Sequence, residues 1–244
     1  MLEELFHAQQ ATPDCRRFQR WIRPFVRLPQ PAAISTREIV MLIRAQAILC
    51  ATRAHGEHGA VVRLLTADHG LVAGYVAGAH GRTLRPVLIP GNIVAAELTA
   101  RTAGQLLSAR LELVISRGPW LGEPLASAGI GWVTTLTARA LPEGQPFPAI
   151  HGALEAVLDA ICHAPSARGW ARAIAAYEAL LLREIGYGHA APPPAEEPWE
   201  SLLARLDRQG LSLAKHLLAD PRRDGMAARA ILIERFKRID GRAL

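Results

Sequence analysis

The chain has 244 residues, 50% of them hydrophobic and 20% charged, with a formal net charge of +6; this supports one or two ordinary cores and excludes disorder by composition. Cys15, Cys50 and Cys162 lie far apart, which excludes a disulfide framework and a zinc set of short paired spacings, and makes a reducing cytoplasm the expected location. No run of about eighteen apolar residues occurs and no secretory signal is legible, so no membrane span is expected.

Residues 1–40 carry six Arg against four acidic residues, an apolar, Arg-studded middle, "CRRFQRWIRPFVRLP", and a Pro-rich end. They read either as a basic arm or, the preferred reading, as the product of an upstream start with Met41 the true first residue. From Leu42 the hydrophobic period becomes two, the spacing of a strand with one buried face. Ile43, Ala45, Ala47 and Leu49 share one face, with Arg44 and Gln46 on the other. Val61–Thr66 forms a second strand, "ADHG" turns the chain with Gly70 at positive φ, and Leu71–Ala79 forms a third. In residues 92–101, Val94, Ala96, Leu98 and Ala100 oppose Glu97, Thr99 and Arg101. In residues 106–116, Leu107, Ala109, Leu111, Leu113 and Ile115 oppose Ser108, Arg110 and Glu112. Short strands at this spacing suit a small closed barrel, and Gly74 and Gly78 fit the bends it needs.

After Gly118 the period shifts toward 3.6. Leu154, Val157, Leu158 and Ile161 make one helical stripe, and Trp170, Ile174, Tyr177 and Leu181 another. The apolar run of "YEALLLREIGYG" is most simply core packing. "GYGHAAPPPAEEP" interrupts the helices, because consecutive prolines cannot continue one. The pattern resumes at Trp199, Leu202, Leu203 and Leu206, and Asp220-Pro221 suits the start of a last helix with Met226, Ala230 and Ile233 on its apolar side. The expected class is therefore α+β and multidomain: an extension 1–40, a five-stranded barrel 41–118 and an all-helical region 119–244.

The barrel segment holds eight Arg against four acidic residues, whereas residues 119–244 balance fourteen against fourteen. A basic barrel beside a neutral helical half points to a polyanion partner. Arg82 and Arg85, in the loop 78–92, can join Arg53 and Arg63 in a groove that follows phosphates; a solvated loop with scattered charges explains them equally well. Arg101 is the further candidate. If the hairpin turns at Ala103-Gly104, Arg110 falls opposite Glu97, and a cross-strand ion pair explains both without a ligand. Tyr75 is the only aromatic residue of 41–118, so binding through phosphates, blind to sequence and leaving base edges free, is expected rather than base stacking. Arg222–Arg242 holds seven basic residues, which offer a cationic surface to DNA or an acidic peptide or, more simply, complement the helix dipole.

His55, His58, His69 and His80 sit among glycines, a setting of loops rather than of a metal site. The glycines make no dinucleotide fingerprint, and no nucleophile elbow or phosphate loop occurs. No catalytic residue, metal or cofactor is expected. The alternative to nucleic-acid binding is an interaction scaffold whose barrel meets only protein.

"AILCATRAHGEHGAVVRLLTADHGLVAGYVAGA" and "RPVLIPGNIVAAELTAR" resemble the opening strands of the bacterial DNA repair protein RecO family, and "LLLREIGYG" resembles the end of a helix in that family's second domain. The resemblance covers roughly residues 41–190. It implies an N-terminal OB-fold and a helical C-terminal domain. It also implies binding and annealing of single-stranded DNA, and association with RecR and single-stranded DNA-binding protein, so that RecA is loaded onto coated DNA. Two departures stand out. The zinc module of many relatives is replaced by "HAAPPPAEEPWESLLARLDRQG", and the family's basic residues after the third strand are Ala77, Ala79 and His80, leaving Arg82 and Arg85 as the nearest positive charges.

Overall fold

A computed structural model describes residues 41–102, 104–164, 166–188, 191–217 and 226–240. The N-terminal extension, the preference for Met41 as first residue and the Asp220-Pro221 cap concern positions that fall outside or border on the described residues. Among the described residues are five strands: β1 (Met41–His55), β2 (Gly59–Thr66), β3 (Gly70–Val76), β4 (Ile93–Ala100) and β5 (Leu107–Ile115). A short 3-10 turn, Gly118–Gly122, leads into five helices: α1 (Pro124–Ala140), α2 (Pro148–His163), α3 (Ala167–Glu184), α4 (Trp199–His216) and α5 (Ala227–Asp240).

The strands close into a barrel in the order β1-β2-β3-β5-β4, antiparallel except for the parallel contact of β3 with β5. This is the expected OB-fold. Closure depends on the length of β1, which pairs with β4 through Met41–Ile48 and with β2 through Ala47–His55. Its register slips between Leu49 and Ala51, a bulge of the kind that sharpens a strand's bend. Ile43, Ala47, Leu49, Val62, Leu64, Val72, Val94, Ala96, Leu98, Leu107, Ala109 and Leu111 fill the interior, as the period of two dictates. Gly74 serves close approach rather than a turn: a Cβ there would lie 2.7 Å from Leu98 Cδ2 and 2.9 Å from Ala109 Cβ. Gly70 does have positive φ, at 66°.

Three details depart from the alternation. Leu113, expected inside, is 40% exposed although it stays in register with Val94; β5 pairs with β3 only at Leu107 and Ser108, so its far end has a strand neighbour on one side only. Arg110 does lie opposite Glu97, but the ion pair expected there is made by Arg44, whose Nε donates to Glu97 at 2.8 Å from the other side. On α5 the buried stripe is Arg229, Leu232, Ile233 and Phe236, while Ala230 is exposed; the stripe is displaced because Arg229 turns inward to a carboxylate.

That carboxylate is Glu178 on α3, fully buried. Arg229 donates from Nε and Nη2 to its two oxygens at 2.9 Å each, and Trp132 Nε1 donates at 2.8 Å. Gly210 on α4 makes room for the guanidinium: a Cβ there would lie 2.3 Å from Arg229 Nη1. The cluster ties four helices together inside an otherwise apolar core. This core extends into the barrel, since Ile48, Cys50, Leu65 and Leu71 pack in the same cluster as Trp132, Leu158 and Ile174. Barrel and helices belong to one compact unit. No helix among the described residues is long and apolar enough to cross a membrane.

Candidate nucleic-acid interface

The strand registers arrange the outer face of β1, β2 and β3 in rows that change character with distance from the helices. Ile48, Leu65 and Leu71 are paired across the three strands and buried against the helical core. Ala51, Arg63 and Ala73 form the next row. Arg63 leans back toward the helices, donating from Nη2 to Glu143 at 2.7 Å and from Nη1 to the carbonyl of Ala138, near the C-terminus of α1. A cation there also complements the helix dipole. Arg53, Val61 and Tyr75 follow, with Ser108 beside Tyr75 on β5. His55 and Gly59 close the hairpin. The polarity of the face thus rises from apolar seam to open rim.

The loop between β3 and β4 folds onto the same end of the barrel. Consecutive turns run from Gly78 to Leu88, with Gly81 and Leu84 carbonyls each accepting from two following amides. Ala79 and Val87 are buried in the barrel core and Leu84 and Leu88 pack against it, so the loop plugs the open end. Ala79 N donates to His58 O at 2.9 Å, and Thr52 Oγ1 donates to Leu88 O at 3.3 Å. Buried Asn92 braces the loop, donating to the carbonyls of Pro86 and Val87 and accepting from the Arg117 amide at 2.7 Å. Arg82 and Arg85, both exposed, are thereby held beside the second half of β1, which carries exposed Arg53. Exposed Arg101 begins the β4–β5 hairpin. Among the described residues none of these four joins an ion pair, in contrast to Arg63.

Between the β1–β2 and β4–β5 hairpins lies an open cleft of about 710 Å³, lined by His55, Gly56, Glu57 and His58, by Gln105 and Leu106, and by Tyr75 and Ser108. Tyr75 is partly buried and its phenolic end rests on the β2 backbone: a Cβ at Gly59 would lie 2.2 Å from the hydroxyl. The His55 ring stands edge-on to it, with centroids 6.0 Å apart and planes at 81°. A sparse aromatic and a loop histidine, neither of which the sequence marks as a site residue, are therefore brought together. The available signal is the outward position of Tyr75 on its strand; the facing β4–β5 hairpin comes later in the chain and is placed only by barrel closure.

Comparison with known proteins accords with this architecture. The model of the family described as Recombination protein O N terminal matches residues 41–115, and that of Recombination protein O C terminal matches residues 121–190. A protein of Phenylobacterium zucineum named DNA repair protein RecO is 42% identical over 144 residues, 58% of each chain. Proteins of the same name from Caulobacter vibrioides and Rhodospirillum centenum are 40% and 41% identical over similar stretches, covering 58% and 56% of their lengths. The matched stretch is thus less than two thirds of these relatives. The barrel with its parallel β3–β5 contact, the helical region packed on it and the two consecutive family matches lead to one assignment: the chain belongs to the recombination protein O (RecO) family.

Proposed function

We propose that the chain acts in DNA repair and homologous recombination as a non-enzymatic mediator. In this reading it binds single-stranded DNA, promotes annealing of complementary strands and helps load RecA onto DNA coated with single-stranded DNA-binding protein, in the bacterial cytoplasm at the nucleoid. Residues 41–118 form the nucleic-acid-binding domain, and residues 119–244 hold protein partners, RecR and single-stranded DNA-binding protein among them. The observation that carries the reading is that Arg53, Arg82, Arg85 and Arg101 on the barrel are all exposed and, among the described residues, join no ion pair. Arginine neutralises phosphates without reading bases, so strands held this way keep their pairing edges. Arg63, nominated with the others, contributes to the same surface chiefly by fixing the barrel against the helices.

The test is the variant in which Arg53, Arg82, Arg85 and Arg101 are all Ala. Annealing of complementary oligonucleotides is expected to fail, and the salt dependence of binding to become shallower by about 0.7 in the log–log slope for each phosphate no longer neutralised. Its melting temperature should stay close to that of the parent, because these side chains are exposed and stand outside the core. Unchanged annealing together with an unchanged slope rules out this surface.

A further inference from the structure

We propose that Tyr75, steadied by His55, is a stacking platform for one unpaired nucleobase. The inference rests on the single-strand-binding reading above and adds to it a contact that is not electrostatic. Three observations converge. Tyr75 lines the cleft, in the row that also carries Arg53 and Ser108, so a strand whose phosphate meets Arg53 brings a neighbouring base within reach of the ring. Its position is built into the strands: β2 has Gly59 where any side chain would collide with the Tyr75 ring, and His55, paired with Gly59 across the hairpin, braces that ring edge-on. The rest of the cleft supplies hydrogen-bonding groups, Ser108 of β5, Gln105 of the β4–β5 hairpin and His58 of the β1–β2 hairpin.

The face of an aromatic ring accepts every base and occupies no pairing edge. Stacking here would hold a strand in register while leaving its bases able to meet a complement. Glu57, highly exposed at the hairpin tip with His58 3.9 Å away, puts negative charge at the tip of the β1–β2 hairpin.

The experiment compares binding of the full chain to oligothymidylate and to a reduced abasic polymer of equal length and charge. The parent protein should prefer the polymer with bases by about fivefold to a hundredfold, the range of one stacked base. Tyr75→Leu should abolish the preference and Tyr75→Trp should keep it. Gly59→Ala, which displaces the ring without deleting it, should weaken it in a protein whose circular dichroism matches the parent. Equal binding of both polymers by the parent, or a preference that survives Tyr75→Leu, overturns the platform while leaving the phosphate surface standing. Failure of the parent to bind either polymer overturns the single-strand reading itself, and the platform with it.

Discussion

The helical region and the open end of the barrel use the same residue, arginine, in opposite ways. Among the helices, Arg229 is sunk against Glu178, Arg205 holds Glu197 through Nε and Nη2 at 2.9–3.1 Å, and Arg117, at the seam, is buried against Asp159 and the half-buried Cys162. Several of the basic residues near the C-terminus are engaged within the chain too: Lys237 meets Asp207 at 3.3 Å, Arg238 meets Glu234, and Arg235 donates to the carbonyl of Pro124. On the barrel, Arg44 and Arg63 are consumed in this manner, whereas among the described residues the exposed Arg53, Arg82, Arg85, Arg101 and Arg110 join no ion pair. Segmental charge foreshadows the contrast, since a balanced region can pair its cations and a basic one has a surplus. The surplus, rather than the total, marks the side of the molecule where arginines stand without ion-pair partners among the described residues.

The contrast breaks most visibly at Arg229. Arg229→Ala leaves the buried Glu178 carboxylate without its cation and should cost about 3–5 kcal/mol in denaturant unfolding, whereas the paired change Arg229→Met with Glu178→Gln should recover much of that deficit. An unfolding midpoint for Arg229→Ala equal to the parent's would mean that the pair is not formed. A smaller effect is expected at Arg63, whose partner Glu143 is half-exposed: Arg63→Ala should cost about 1 kcal/mol and raise hydrogen exchange at the ends of β2 and α1 before it alters any strand annealing. Loss of annealing with unchanged exchange would instead place Arg63 with the phosphate-facing group.

The weakest effect is one of pH at the seam. Burial holds His151, on the first turn of α2, below its ordinary pKa of 6.5, outweighing the opposing pull of Glu155 and of Asp68 from the β2–β3 turn. Well above pH 6.5 the imidazole is neutral in folded and unfolded chains alike and contributes no pH dependence. As pH falls below 6.5 the unfolded chain takes up the proton first, so stability declines until the folded pKa is passed. His151→Gln should flatten this part of the stability profile; an identical decline in the variant would assign it to other groups.

The strands are legible in the sequence because each interior residue alternates with an outward one, and the stripes of α2 and α3 because their large apolar residues recur at helical spacing, although Glu178 is buried within the stripe of α3. What stays hidden there depends on ring closure or on buried charge. Glu97 has neighbours on two strands, and only the closed barrel reveals that Arg44 of β1 stands as near in register as Arg110 of β5. The phase of α5 departs from its apolar pattern because an arginine there behaves as a core residue. The arginines of the open end can be nominated from charge, but their separation from Arg63 cannot, since Ala138 and Glu143 lie 75 and 80 residues beyond it. Tyr75 carries little signal of its own because its significance comes from Gly59 and His55, which are ordinary hairpin residues until they are folded against it.

The seam between barrel and helices also governs how the molecule can be cut. Ile48, Leu65 and Leu71 face away from the barrel's own interior and are covered by helical side chains, so severing the chain after residue 118 would bare a greasy stripe across three adjacent strands. Such an excised fragment would be sticky for reasons unrelated to DNA, and retention on any charged or hydrophobic matrix would say little about the intact protein.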